Sequence, residues 1–235
     1  MITGIAVALP EELHTLTKVK LTQGECLQLS ANTIVTLAGT GAENASKASL
    51  ELVAQGAQQL ISWGCAGALA PYLKAGDLII PSTILSQDNT SLATHKHWRE
   101  QLTNMLGQSL KCYNGQLLES DAVISLAQDK THQFQCSNAL AVDMESASIA
   151  RIAAQSELPF IAIRSIVDSA QFDLPKAISY ALNDNGIVAI PKLIKYLCLH
   201  PSELVALIQL GLHFKAASHT LKQLAHQLPS ITQAP

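Results

Sequence analysis

The chain has 235 residues, of which 48% are hydrophobic, 4% aromatic and 14% charged, and its formal net charge is −3. That length and apolar content suit one domain with a sizeable core and an appendage. The slight acidity and the presence of only three arginines, Arg99, Arg151 and Arg164, exclude a nucleic-acid footprint, which needs clustered basic residues.

Five scattered cysteines (Cys26, Cys65, Cys112, Cys136 and Cys198) form no CxxC pair and are odd in number, which predicts reduced thiols in a cytoplasmic protein. Met1 leads almost directly into a strand without a basic n-region, so no signal peptide is expected. No apolar run reaches the roughly 18 residues of a membrane-spanning helix.

Residues 2–9 read as a buried strand, stopped by Pro10 and followed by a loop holding Glu11 and Glu12. Residues 25–30 and 33–38 predict a hairpin turning at Ala31-Asn32. Gly39-Thr40-Gly41 ends its second strand, and a helix is expected over about 44–58. Residues 59–63 form a short strand running out into Gly64-Cys65-Ala66-Gly67-Ala68-Leu69. Residues 77–85 predict one long apolar strand, 86–93 a polar loop and 95–109 a surface helix. Strands follow at 116–119, 139–142 and 160–167, with a helix over 143–156 between the last two. This alternation predicts an α/β fold with a largely parallel sheet, in which ligands collect at the carboxyl ends of strands.

That domain is expected to span residues 1–175, with 176–235 a helical extension packed on or beside it. A short apolar helix is expected at 193–199 and a long amphipathic one at 202–228. Leu207, Leu210, Phe214, Ala217, Leu221, Leu224 and Leu228 form its apolar stripe, with Lys215, His219, Lys222 and His226 opposite. Such a helix packs on its own domain, on a partner subunit, or on a membrane surface.

Several motifs fall short. Gly39-Thr40-Gly41-Ala42-Glu43-Asn44 has two glycines of a dinucleotide fingerprint but Asn44 at the third position, and no acidic ribose reader follows at the expected distance. His95-Lys96-His97 lacks the further ligands of a metal site, so no metal is expected. Cys65 reads as a buried thiol, with no neighbouring base to activate it.

Three carboxylates remain at or just after strand ends: Glu12, Glu145 and Asp168. Val142-Asp143-Met144-Glu145-Ser146 opens a helix, so Asp143 reads as its N-cap with Glu145 in the first turn, and Asp168 reads as a turn residue. The alternative is chemical. Cleavage of an N-glycosidic bond needs an acid to protonate the leaving purine, a carboxylate on the sugar hydroxyls, and a base or cations for the nucleophile.

The segments Gly4-Ile5-Ala6-Val7-Ala8-Leu9-Pro10-Glu11-Glu12-Leu13, Gly64-Cys65-Ala66-Gly67-Ala68-Leu69 with Gly76-Asp77, Ser120-Asp121-Ala122, Val142-Asp143-Met144-Glu145 and Arg164-Ser165-Ile166-Val167-Asp168 occur in that order. Together, over roughly residues 1–170, they resemble the nucleoside phosphorylase and nucleosidase superfamily, on the branch with methylthioadenosine/S-adenosylhomocysteine nucleosidase. The resemblance implies a mostly parallel, partly barrel-like central sheet flanked by helices. It implies Glu12 as the base activating water and Asp168 as the acid at the purine N7. Met144 and Glu145 would contact the ribose, with Asp143 beside them. Ala38, Gly39, Gly41, Gly67, Val123 and Ile124 would line the substrate site.

Three positions depart from that pattern. Ala38 stands where Ser is usual, Val123 replaces the aromatic that stacks on the base, and Val167 replaces the Ser before the acid. Each change makes the pocket more apolar. The tail, with Phe172-Asp173-Leu174-Pro175, Asn183-Asp184-Asn185-Gly186, Leu193-Ile194-Lys195-Tyr196-Leu197 and His200-Pro201-Ser202-Glu203-Leu204, resembles the hopanoid-associated phosphorylases. That likeness implies adenine release from adenosylhopane, a lipid-linked adenosyl substrate, with peripheral contact at the inner membrane through the C-terminal helix. Other readings are a soluble substrate (methylthioadenosine or S-adenosylhomocysteine), another purine nucleoside phosphorylase, and a non-catalytic nucleoside-binding protein.

No arginine lies near Glu12 or the Gly39 loop, so water is the expected nucleophile, with phosphate as the alternative co-substrate and Lys18 or Lys20 as its cations. No other cofactor is expected, and a homo-oligomer is implied by resemblance.

Overall fold

The structure, a computed structural model, describes residues 1–107, 110–181 and 189–233. The first half runs β1 (Thr3–Val7), α1 (Pro10–Leu13), β2 (Cys26–Ser30), β3 (Thr33–Leu37), α2 (Ala42–Ala54), β4 (Gln59–Ala68), β5 (Leu78–Ile79), β6 (Thr83–Leu85), β7 (Ser91–Ala93) and α3 (Lys96–Leu106). It continues through β8 (Cys112–Tyr113), β9 (Gln116–Glu119), α4 (Ala127–Ser137), β10 (Ala141–Asp143), α5 (Ser146–Gln155), β11 (Phe160–Asp168), α6 (Lys176–Ala181), α7 (Ile190–Leu199), α8 (Glu203–Ala225) and α9 (Leu228–Ile231). All described strands join one sheet of α/β type, with helices on both faces.

β4 is the axis of that sheet. One edge pairs in parallel with β1 up to Trp63, and the other pairs in parallel with β11 as far as Gly67. Beyond β1 the first edge is taken over by β10, which pairs antiparallel at Gly67 and Ala68. From there the sheet continues through β9 and β6 to β7, while β3 and β2 extend it beyond β1. Between Trp63 and Gly67, one edge of β4 therefore lacks a strand partner, and the chemically interesting side chains gather in that gap.

Alternation of side chains divides the core between the two faces. Ala6, Leu60 and Ala162 face α2 and α5 through Ala45, Leu52, Ala147 and Ile149. Ile5, Val7, Ile61, Trp63, Ile161 and Ile163 face α3 and α8 through Trp98, Leu102, Leu221 and Leu224. Two buried tryptophans satisfy their ring N–H groups, Trp63 on Thr15 Oγ1 at 2.9 Å and Trp98 on the Ile231 carbonyl at 2.7 Å. The second bond pins the C-terminal end of the described chain to α3.

Several expected boundaries move. Glu12 lies in the short helix α1 rather than a loop, because Pro10 opens a turn in which Glu12 Oε2 accepts the Leu9 amide at 3.1 Å. The α2 helix begins at Ala42 and stops at Ala54, ahead of Gly56 at φ 88°. The glycine-bearing run 64–68 is strand, not strand-end loop. The long strand expected over 77–85 is broken into β5 and β6 by the Pro81 segment, and the expected polar loop after it contains β7. Helix α3 ends at Leu106, and the part of its expected span at 108–109 lies outside the described residues, as does the Asn183-Asp184-Asn185-Gly186 motif. β8 and α4 were not expected at all.

In α8 the expected stripe turns inward: Ala217, Leu221 and Leu224 are buried, and Lys215, His219, Lys222 and His226 are exposed. Its first half also exposes apolar residues, Leu204, Val205, Ile208 and Leu212, and α7 exposes Ile194 and Leu199. No described helix is long and apolar enough to cross a membrane.

Candidate active site

The unpaired edge of β4 is met by three chain segments. Glu12, on the turn after β1, reaches it first: Oε1 accepts the Cys65 amide at 2.7 Å, supplying the bond that a neighbouring strand would otherwise make. Burial raises the Glu12 pKa, and the Arg164 guanidinium and the Cys65 and Leu9 amides oppose that rise.

Arg164 comes from β11 and is almost fully buried. Its Nε donates to Asp143 Oδ2 at 2.7 Å, and Nη2 donates to Ser62 Oγ at 2.6 Å and Ser146 Oγ at 3.1 Å. A buried cation needs such partners. Burial lowers its proton affinity, and Asp143, Glu12 and Glu145 together more than offset that.

Asp143 is the last residue of β10, not the N-cap residue. It still performs the capping, since Oδ1 accepts the amides of Ser146 at 3.2 Å and Glu145 at 3.4 Å and Oδ2 accepts the Ser146 hydroxyl. Glu145 occupies the position expected of Asp143, just ahead of α5. Its side chain turns away from the helix: Oε1 accepts the Gly41 amide at 2.9 Å and Oε2 the Met144 amide at 3.3 Å. Burial first, and Asp143 second, push the Glu145 carboxyl up to about 8, against the pull of Arg164.

Asp168 closes β11 opposite Gly67, three residues further along β4 than Gly64. Three residues of strand span about 10 Å. Burial raises the Asp168 pKa, and Lys130 and then His213 lower it. Its carboxylate pairs with Lys130, a buried residue of α4 that the sequence reading passed over.

Gly64 and Gly67 are bare for steric reasons. A Cβ on Gly64 would lie under 3.0 Å from both Arg164 Nη1 and Glu12 Oε1, and one on Gly67 would lie 3.2 Å from Asp168 Oδ1. Side chains here would fill the space that the carboxylates occupy.

The structure therefore gathers Glu12, Asp143, Glu145 and Arg164, brings Gly41 to Glu145, and sets Asp168 at the end of β11 opposite Gly67, further along β4. Met144 is half-buried between Asp143 and Glu145. Ala38 is buried and Gly39 and Gly41 hold positive φ, leading into α2. A 340 Å³ hollow lined by Gln23, Ala38, Asn44, Lys47 and Glu51 adjoins that loop, apart from Glu12, Glu145 and Asp168. Val123 and Ile124 lie in the segment after β9, with Val123 47% exposed and Ile124 half-buried against the cluster that holds Val142.

Cys65 sits within this centre, its amide bonded to Glu12, whereas His95 caps α3. Burial, followed by Glu12, pushes the Cys65 thiol well up, so it is no thiolate. His95 accepts the Trp98 amide at 3.3 Å as a helix cap, and the described residues contain no metal-binding cluster.

Known proteins resemble this chain in sequence and in fold. A model of the Phosphorylase superfamily covers residues 3–186. A 5'-methylthioadenosine/S-adenosylhomocysteine nucleosidase of Shewanella sediminis is 28% identical over 166 residues, 60% of this chain and 70% of that protein. A nucleosidase of the same name from Buchnera aphidicola is 32% identical over 127 residues, 46% of this chain and about half, 54%, of its own length. Among solved structures, the Neisseria meningitidis nucleosidase in complex with methylthio-immucillin-A superposes with a TM-score of 0.72 at 20% identity, covering 97% of this chain and 99% of that one. Futalosine hydrolase of Helicobacter pylori superposes with a TM-score of 0.67 at 18% identity, covering 96% and 97%.

Proposed function

Because the chain belongs to the Phosphorylase superfamily, we propose that it cleaves the N-glycosidic bond of an adenosyl compound, releasing adenine with water as nucleophile. The observation that carries this reading is the grouping of three buried carboxyls around β4: Glu12 bonds the Cys65 amide, Glu145 shares the field of Arg164 with Glu12, and Asp168 closes β11 opposite Gly67, near enough for both Glu12 and Asp168 to act on the Cys65 thiol.

Each carboxyl then has a distinct task. Glu12, its proton affinity raised by burial, takes a proton from the attacking water. Asp168, likewise raised, carries a proton for N7 of the departing purine. Glu145 accepts hydrogen bonds from the sugar hydroxyls, and its negative end stabilises the positive charge that develops on the sugar as the bond breaks. With a pKa of about 8 its carboxyl is protonated at pH 7 in the free protein, and hydroxyl donors and a cationic sugar draw the ionised form out on binding. Asp143 keeps Arg164 in place, Met144 packs on the sugar, and Ala38, Gly39, Gly41, Gly67, Val123 and Ile124 surround the substrate.

Water is favoured over phosphate by what the arginines do. Arg164 already donates to Asp143, Ser62 and Ser146, Arg151 meets Asp88 at the surface, and Arg99 donates to Thr94. Glu12 at the nucleophile position would repel an anion. The chemistry calls for no metal or organic cofactor.

The names of the relatives favour a 5'-thioadenosyl substrate, methylthioadenosine or S-adenosylhomocysteine. A second reading, a lipid-linked adenosyl compound such as adenosylhopane, is favoured by the exposed apolar residues of α7 and α8 and by the exposed Lys192 and Lys195 of α7, a combination that suits an anionic membrane surface. The test is adenine release from methylthioadenosine, S-adenosylhomocysteine and adenosylhopane, each with and without phosphate. Release without phosphate supports the proposal and identifies the substrate. No release from any of them by folded protein overturns it.

A further inference from the structure

Helix α4 is mostly polar, with Phe134 half-buried against the core, and the one buried residue among its eleven is a lysine, Lys130. Buried lysines are rare unless paired. Here Nζ donates to Asp168 Oδ2, to the Phe172 carbonyl at 2.8 Å and to the Ser169 carbonyl at 3.2 Å. An ammonium has three protons, and three acceptors meet them. Two of those acceptors belong to the turn directly after Asp168, so the cation is fixed by the same piece of chain that carries the acid.

The structure assigns Lys130 as a positioning residue for Asp168: it holds the carboxyl in one orientation and stabilises the carboxylate left when the proton departs. The assignment rests on the reading of Asp168 as the acid. As the glycosidic C–N bond breaks, its electron pair moves onto the purine. The Asp168 O–H bond breaks, an N–H bond forms on the base, and Asp168 becomes a carboxylate facing an ammonium that keeps all its protons. Solvent returns the proton to Asp168 after adenine leaves. A neighbouring opposite charge favours the ionised form of a carboxyl, so Lys130 makes Asp168 the stronger acid.

The other titratable groups facing Asp168 are His213 from α8 and Cys65 from β4. The His213 ring sits edge-on to Phe172 with centroids 5.2 Å apart. His213 is farther from carrying the effect, because Lys130 alone makes an ion pair with the carboxylate among the described residues.

The experiment joins a carboxyl-carbon NMR titration, with the Asp168 signal identified by its loss in Asp168→Asn, to the pH profile of adenine release. In Lys130→Gln the Asp168 midpoint should rise by about one unit or more, as expected for loss of an opposite charge at this range. The alkaline limb of the kcat profile should move up with it, and kcat should fall about tenfold or more while KM stays within about twofold. Lys130→Arg, which keeps the charge, should hold the midpoint near the wild-type value. A folded Lys130→Gln with midpoint and kcat unchanged overturns the proposal. Should that variant not fold, the wild-type protein suffices: the Lys130 Nζ resonance must follow the Asp168 titration, and a signal that ignores it overturns the proposal equally. If instead Asp168→Asn releases adenine at the wild-type rate, the acid reading fails, and the NMR midpoints still report separately on the Lys130–Asp168 coupling.

Discussion

Glu145 Oε1 accepts the Gly41 amide at 2.9 Å, closing a contact between residues 104 apart in sequence. The bond ties the start of α5 to the loop that opens α2, and it orients a carboxyl that does not serve its own helix. Replacing Glu145 with Gln keeps an oxygen for Gly41 and removes only the ionisable group. We expect Glu145→Gln to fold and to lose about 10²–10³-fold in kcat for adenine release, the scale of a lost charge-stabilising group. Steady-state kinetics check this, and near-wild-type turnover would remove Glu145 from the mechanism.

Proton binding also shapes stability. Glu12, Glu145 and Asp168 all have raised pKa values, Glu145 at about 8. Between the ordinary carboxylate range and about pH 8 the folded state therefore holds more protons than the unfolded one, and stability declines as pH rises. Glu145→Gln abolishes one contribution. Its Tm relative to wild type should climb steadily from pH 5 to pH 8, as read by calorimetry. A difference that is flat or falls over that range contradicts the assignment.

Glu12 separates the two nucleophiles. Glu12→Gln should retain the Cys65 contact through its amide oxygen and lose about 10²–10⁴-fold in rate, the usual contribution of a general base. Added phosphate should not restore it, and the wild-type sugar product should be the free sugar. Formation of a sugar 1-phosphate would assign the reaction to phosphorolysis instead.

Gly64 tests the packing of the centre. An added methyl meets Arg164 and Glu12 under 3.0 Å, so Gly64→Ala should cost roughly 1–3 kcal/mol in a denaturation experiment and depress activity further than stability alone explains. Gly67→Ala, where the nearest atom is Asp168 Oδ1 at 3.2 Å, should unfold less readily yet still displace the acid.

The parts of this molecule that were legible in sequence are those with strong local patterns. β9 falls over residues 116–119 as expected, and the hairpin of β2 and β3 turns at Ala31-Asn32. The three carboxylates stood out because charge is scarce here. Gly64 and Gly67 misled, since glycines after a strand resemble a turn, whereas these glycines make room for side chains from other segments. Helix α4 has no apolar stripe, and Lys130 takes its meaning from Asp168, 38 residues away, so nothing local marked it. Arg164 carried a faint signal that was underused: a lone arginine inside the apolar run of β11 needed buried anions to receive it.

At Trp63 β4 parts from β1, and at Gly67 it joins β10, so a single ten-residue strand is both the splice between the two wings of the sheet and the floor beneath the carboxylates. Cohesion and chemistry thus draw on the same short text. A change there is read twice, once by the fold and once by the reaction.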